Sequence, residues 1–192
     1  MALATQSVKE FTNIRKSLPE IIIFEKPKTH PETFIQESAK MVISSCVGTK
    51  LFPSVTMAQL CLESGYGLKH IGAANNYFGF KGNGSPNEYW DGRVVIKDTI
   101  ENYGNGDVQI KDGFRVYASM EMSLLDRNRL LHIKRYERVL GATTFEEQAQ
   151  LIKDCGYATD PGYVGKLVSI INKFGLVKLD ELKKQFETIL HK

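Results

Sequence analysis

The chain has 192 residues, 42% hydrophobic and 24% charged, with 16 Gly, 6 Pro and 3 Cys. These proportions exclude a disordered or low-complexity chain and a disulfide-rich scaffold, and at this length roughly 70% of the unfolded surface can be buried in one core. A net charge of +3 from 25 basic and 22 acidic residues is too small to argue for nucleic acid. It remains compatible with an anionic polymer.

In chain order, residues 1–30 read as an extension that ends in the linker from Lys26 to Pro31. It carries neither the cationic start nor the apolar run of a secretory signal, and its strongly apolar stretch Ile21–Phe24 is far too short to span a membrane. Apolar residues at Ile35, Ala39, Val42, Ile43 and Cys46 predict a first amphipathic helix. A second helix starts at Pro53-Ser54 and stops at Ser64-Gly65. The Gly-, Asn- and aromatic-rich stretch from Gly65 to Gly92 reads as loops of the kind that line a site.

The period then changes. Val94–Ile96, Val108–Ile110 and Phe114–Tyr117 predict three short strands, with turns at 104–107 and at Asp112-Gly113. Helices return after Ser119, after Thr144 as far as Gly156, from Asp160-Pro161, and from Asp180. The fold class that follows is α+β, mostly α, with a small antiparallel insertion between helices. Cys46, Cys61 and Cys155 sit in apolar stretches and read as reduced packing residues. Four scattered histidines give no metal set.

Leu51–Leu68 contains a single charged side chain, Glu63. If the helix is buried, desolvation and the negative helix terminus both raise the pKa of that carboxyl and favour the neutral acid needed for proton donation. If the helix lies at the surface, Glu63 simply points to solvent. The Gly65-Tyr66-Gly67 break and the Asn75–Gly79 loop beside it favour a cleft.

PSVTMAQLCLESGYG, NNYFGFKG, FRVYAS and GYATDPGYVGKL, in that order, resemble the bacterial and phage endo-β-N-acetylglucosaminidases of the flagellar-rod and autolysin type, a glycoside hydrolase family with a lysozyme-like fold. The resemblance spans residues 31–178, leaving 1–30 and the final helix (179–192) outside it. It implies a helical lobe facing a small β-hairpin lobe across a groove, and hydrolysis of the β-1,4 bond after N-acetylglucosamine in peptidoglycan. Lytic transglycosylase chemistry on the same fold, or a wall-binding module of a phage tail or secretion machine, are the competing readings.

By the resemblance, Glu63 is the general acid. Glu101, in Thr99-Ile100-Glu101, is the second carboxylate, although Asn102 precedes Tyr103 where the family often has tyrosine directly. The alternative for Glu101 is an exposed hairpin charge, with Asp98, Asp107 and Asp112 as competitors for the role. Asp126, three residues before Arg129 in the following helix, reads as a structural ion pair or a helix-face charge. Tyr157 lines the cleft, or else wedges two helices apart. Asn76, Tyr77 and Phe78, with Tyr66, Tyr89 and Trp90, are candidate sugar contacts or loop packing.

No cofactor or metal is implied. The partner is the glycan strand of peptidoglycan, met by a monomer without nucleic acid or membrane insertion. The chain is expected to be made in the cytoplasm and to reach the wall by phage release or a secretion system.

Overall fold

A computed structural model describes residues 6–69, 74–102 and 107–190; at 99–102, 107 and 108 it describes the backbone alone. Helices α1 (Val8–Ser17), α2 (His30–Cys46) and α3 (Pro53–Ser64) come first, then strands β1 (Val94–Asn102) and β2 (Asp107–Arg115). Helix α4 (Met120–Leu130), a 3-10 segment (Lys134–Gly141), α5 (Phe145–Asp154), α6 (Tyr163–Phe174) and α7 (Val177–Leu190) complete the chain. The architecture is mostly helical with one small antiparallel sheet, as the residue pattern predicts.

Helix α3 is the hub, in contact with α2, α5, α6 and α7. Ten of its twelve residues are buried, which is why it lacks a polar face and why one charge stands out in it. Gly65 ends it in the left-handed conformation (φ 55°) and donates to the Cys61 and Leu62 carbonyls. Helix α2 opens with a capping box, in which Thr29 accepts from the Glu32 amide while the Glu32 carboxylate accepts from the Thr29 amide.

The N-terminal stretch is built into the body. Phe11, Leu18 and Ile21 belong to the same buried cluster as α2 and α3, and Gln6 donates to the Ser44 carbonyl at 3.0 Å. The last helix starts at Val177, three residues before Asp180. Leu176 and Leu179 are buried at once, and the Leu176 amide bonds back to the Ile171 carbonyl at 2.9 Å. Its Asp180 accepts from the Ser54 amide (2.8 Å) and hydroxyl (2.6 Å), and its Lys183 donates to the carbonyls of Thr49 and Leu51 (2.7 and 3.0 Å). Helix α7 therefore clamps the entry to α3.

The insertion differs from the three expected strands. It is one hairpin of two nine-residue strands, paired from Val94↔Arg115 to Asn102↔Asp107. Asp112-Gly113, a turn signal in isolation, runs extended opposite Lys97 and Ile96. It is held there by the Gly82 amide on the Gly113 carbonyl (2.7 Å) and by a Lys81–Asp112 ion pair (2.8 Å). Long-range pairing has overridden the local preference.

Candidate active site

A cleft of about 650 Å³ opens between the C-terminal end of α3, the 78–83 loop, the base of β2, α4, the 157–160 loop and α6. Glu63, in the last turn of α3, lies in its wall. Burial raises the Glu63 pKa above the ordinary carboxylate value; a hydrogen bond from Tyr163 and the positive charge of Arg127 oppose that rise. The last-turn carbonyls of α3 are themselves bonded, the Cys61 oxygen by the Tyr66 amide (2.8 Å) and the Ser64 oxygen by the Lys69 amide (2.7 Å). Desolvation is thus the principal cause.

Tyr163 donates its hydroxyl proton to Glu63 Oε1 at 2.8 Å, and accepts in turn from Gln59 Nε2 at 2.8 Å. Gln59 Oε1 accepts from Arg127. Tyr157 also lines the cleft, its ring 6.1 Å from that of Tyr163. Its hydroxyl is buried and makes no hydrogen bond among the described residues. Burial and the nearby Glu63 charge hold that phenol well above its ordinary pKa, so it stays a proton donor.

The other charges of the wall occur in pairs. Asp126 is fully buried and accepts from Arg115 (2.6 Å), Arg129 (2.8 Å), the Tyr117 hydroxyl (2.8 Å) and Asn87 (3.1 Å). Lys166 pairs with Asp160 at 2.6 Å. The Asp126–Arg129 pair is the one the three-residue spacing implies. Glu63 is the one cleft carboxylate with no ion-pair partner among the described residues. No group of three or more His, Cys, Asp or Glu side chains is placed among those residues to hold a metal.

The remaining candidates divide. Phe78 is in the wall, joined by Phe80. Asn76 is buried and occupied elsewhere. Its Nδ2 donates to the carbonyls of Phe80 (2.9 Å) and Arg115 (3.0 Å), and its Oδ1 accepts from the Phe80 amide (3.0 Å), so it shapes the loop that presents Phe78 and Phe80. Tyr77 packs against the core and anchors its amide on Ser123. Tyr66 stacks edge-on against Phe174. Tyr89 is buried, with its hydroxyl on the Gln6 carbonyl.

Trp90 is buried as well. It donates to the Arg93 carbonyl at 2.7 Å and stacks under Arg115, whose guanidinium carbon sits 4.2 Å from the ring centre. None of Asn76, Tyr77, Tyr66, Tyr89 and Trp90 lines the cleft. Aromatic and amide side chains that suit a sugar also suit a loop interior, and sequence composition does not separate the two. The carboxylate of Glu101 lies outside the described residues. Its backbone faces Val108, seven pairs along the ladder from Val94↔Arg115, about 23 Å at the rise of a strand.

Sequence reasoning passed over Gln59, Tyr163 and Arg127. One signal was available for Gln59, a polar residue four positions before Glu63 in an otherwise apolar helix.

Residues 39–176 match the Glucosaminidase family model, described as mannosyl-glycoprotein endo-beta-N-acetylglucosaminidase. The exo-glucosaminidase LytG of Bacillus subtilis is 34% identical over 146 residues, covering 72% of this chain and 50% of LytG. The peptidoglycan hydrolase FlgJ of Escherichia coli K12 is 38% identical over 137 residues, 68% of this chain and 42% of FlgJ. The chain thus spans half or less of these two relatives.

Among solved structures, the catalytic domain of the autolysin Auto from Listeria monocytogenes superposes with a TM-score of 0.70 at 27% identity, covering 90% of this chain and 96% of that one. A C-terminally truncated glycoside hydrolase domain of FlgJ from Salmonella typhimurium gives 0.60 at 32% identity, covering 76% and 97%.

Proposed function

The chain belongs to the glucosaminidase family of glycoside hydrolases, and on that premise we propose that it hydrolyses the β-1,4 bond after N-acetylglucosamine within peptidoglycan strands, with Glu63 as general acid. The observation that carries the reading is the desolvated, cleft-facing Glu63 carboxyl with its raised pKa. Desolvation favours the neutral, protonated form of that carboxyl, the form that can deliver a proton to the departing glycosidic oxygen.

Tyr157 lines the same cleft, and its hydroxyl, which makes no hydrogen bond among the described residues, is proposed to hold the sugar's N-acetyl group or a water once substrate is bound. Phe78 and Phe80 offer apolar faces to pyranose rings. Glu101 is proposed as the second carboxylate, carried by the hairpin to the opposite side of the sugar, where it activates water or balances positive charge. The mild net positive charge favours approach to an anionic wall.

The pairing of Asp126 and Asp160 with cations leaves Glu63 alone as an unpaired acid in the described cleft, and this favours one second reading. Single-acid chemistry assisted by the substrate's own N-acetyl group gives a hydrolase, and intramolecular closure gives a lytic transglycosylase. Both assays use purified walls. Glu63→Gln should lose about 10²–10⁴-fold in turbidity clearing, and a variant at full rate removes Glu63 from the reaction. Mass spectrometry of the fragments should show reducing-end N-acetylglucosamine with added water; an anhydro end would select the transglycosylase. Glu101→Gln with unchanged rate would leave the substrate's N-acetyl group in the second role.

A further inference from the structure

We infer that Arg127, which is not part of the cleft wall, orients Glu63 and sets its charge through a one-way chain of hydrogen bonds running across Gln59 and Tyr163. The inference rests on the reading of Glu63 as the acid, and gives that acid a positioning residue at a distance.

Arg127 lies in α4 with its side chain fully buried. Its Nη1 donates to Thr56 Oγ1 at 3.0 Å and to Asn128 Oδ1 at 2.8 Å, and its Nη2 donates to Gln59 Oε1. No carboxylate is within ion-pair distance of it among the described residues. A guanidinium taken out of water costs several kcal/mol unless an opposite charge compensates it. The acid toward which its bonds lead is Glu63. Thr56, Gln59 and Glu63 stand at i, i+3 and i+7, on one face of α3.

The order of donors follows from chemistry. Arginine only donates, so the Gln59 oxygen is turned toward it and the Gln59 NH₂ group is turned away, toward Tyr163. The Tyr163 oxygen accepts that bond, so its own proton is directed to Glu63 Oε1. Oε1 is therefore an acceptor whether Glu63 is neutral or ionised, and the acid's proton resides on Oε2. As the proton leaves, the growing negative charge meets a donor chain backed by a fixed cation. That interaction is stronger in the transition state than in the ground state.

Other charges also face this region. Lys81, Arg115 and Arg129 stand in the opposite wall with Asp126, and Lys166 stands with Asp160 beside Tyr157. Each of these cations is paired with an aspartate, Lys81 with Asp112. Toward Arg127 itself face the Cys46 thiol from α2 and the phenols of Tyr157 and Tyr163. Arg127 is the cation in this set whose charge has no aspartate or glutamate paired to it among the described residues.

The test is the alkaline limb of the pH–rate profile on purified walls, together with NMR titration of the Glu63 carboxyl, assigned by difference from Glu63→Gln. Arg127→Met should move both upward by about one pH unit and lower kcat about 10–100-fold. Arg127→Lys keeps the charge and should leave the limb within a few tenths of wild type while losing part of kcat. Tyr163→Phe cuts the last link without disturbing the buried cation, and should move the limb in the same direction even if Arg127→Met does not fold. The double variant should shift the limb no further than the larger single shift.

Folded variants in which the limb and the titration stay at their wild-type positions overturn the inference. The reading of Glu63 as acid fails separately, through a fully active Glu63→Gln, while the NMR titration still reports on Arg127.

Discussion

Asp180 offers the sharpest test of how the catalytic helix is held. The first residue before α3 is Phe52, which has no side chain able to cap, so the helix opens without a local partner for its free amides. Asp180, 126 residues after Ser54, supplies the cap from α7 by accepting from both the Ser54 amide and its hydroxyl. Asp180→Ala leaves both donors unpaired in a buried place. A charge-assisted hydrogen bond is worth about 1.5–3 kcal/mol, a lost N-terminal cap about 1 kcal/mol, and the two descriptions overlap.

Burial already raises the Asp180 pKa, so part of its charge is uncompensated and the net effect is smaller than the sum. The expected loss is about 2–3 kcal/mol, read as a Tm fall of about 5–10 °C at this chain length. Asp180→Asn keeps one acceptor and should lose about 1 kcal/mol. Urea unfolding followed by circular dichroism, with unchanged m, measures both. An Asp180→Ala variant within about 0.5 kcal/mol of wild type, or an Asn variant no better than Ala, would refute the reasoning.

Other expectations concern the site and its supports. Because folding raises the Glu63 pKa, the folded state binds more protons than the unfolded one between the ordinary carboxylate value and the raised one, so stability falls as pH climbs through that window. Glu63→Gln should therefore be inactive yet about 1 kcal/mol more stable at neutral pH, the advantage fading below the ordinary carboxylate value; thermal melts across pH measure it. Asn76→Asp sets an acceptor against two carbonyl oxygens, and at neutral pH should cost about 3 kcal/mol and weaken wall binding as the Phe78–Phe80 loop loosens, measured by pull-down on insoluble walls. Gly67 has φ 79°, and a Cβ there would lie 2.7 Å from the Phe34 ring. Gly67→Ala should cost about 2 kcal/mol in denaturant unfolding, of which Phe34→Leu in the same chain recovers the steric part but not the left-handed penalty of about 1 kcal/mol.

Features set within a few residues were legible in the sequence. Apolar spacing, side-chain caps at Ser119 and Thr144, and the Pro and Gly signals around α3 and before α6 gave α2 to α6 their places, because such signals act over one or two turns. The lone charge in an apolar helix pointed to Glu63, since a carboxyl is costly wherever water is excluded, whatever surrounds it. The other decisions belong to the tertiary structure. Asp112-Gly113 became strand because a partner strand and Gly82 hold it extended. Asn76, Tyr89 and Trp90, suited in kind to a sugar, turn inward instead and donate to the backbone carbonyls of Phe80 and Arg115, of Gln6 and of Arg93. The cap on α3 and the cation behind Glu63 come from α7 and α4, 126 and 64 residues away from Ser54 and Glu63. Which distant groups meet depends on how the helices pack, and pairings of that kind leave no periodic trace in the chain.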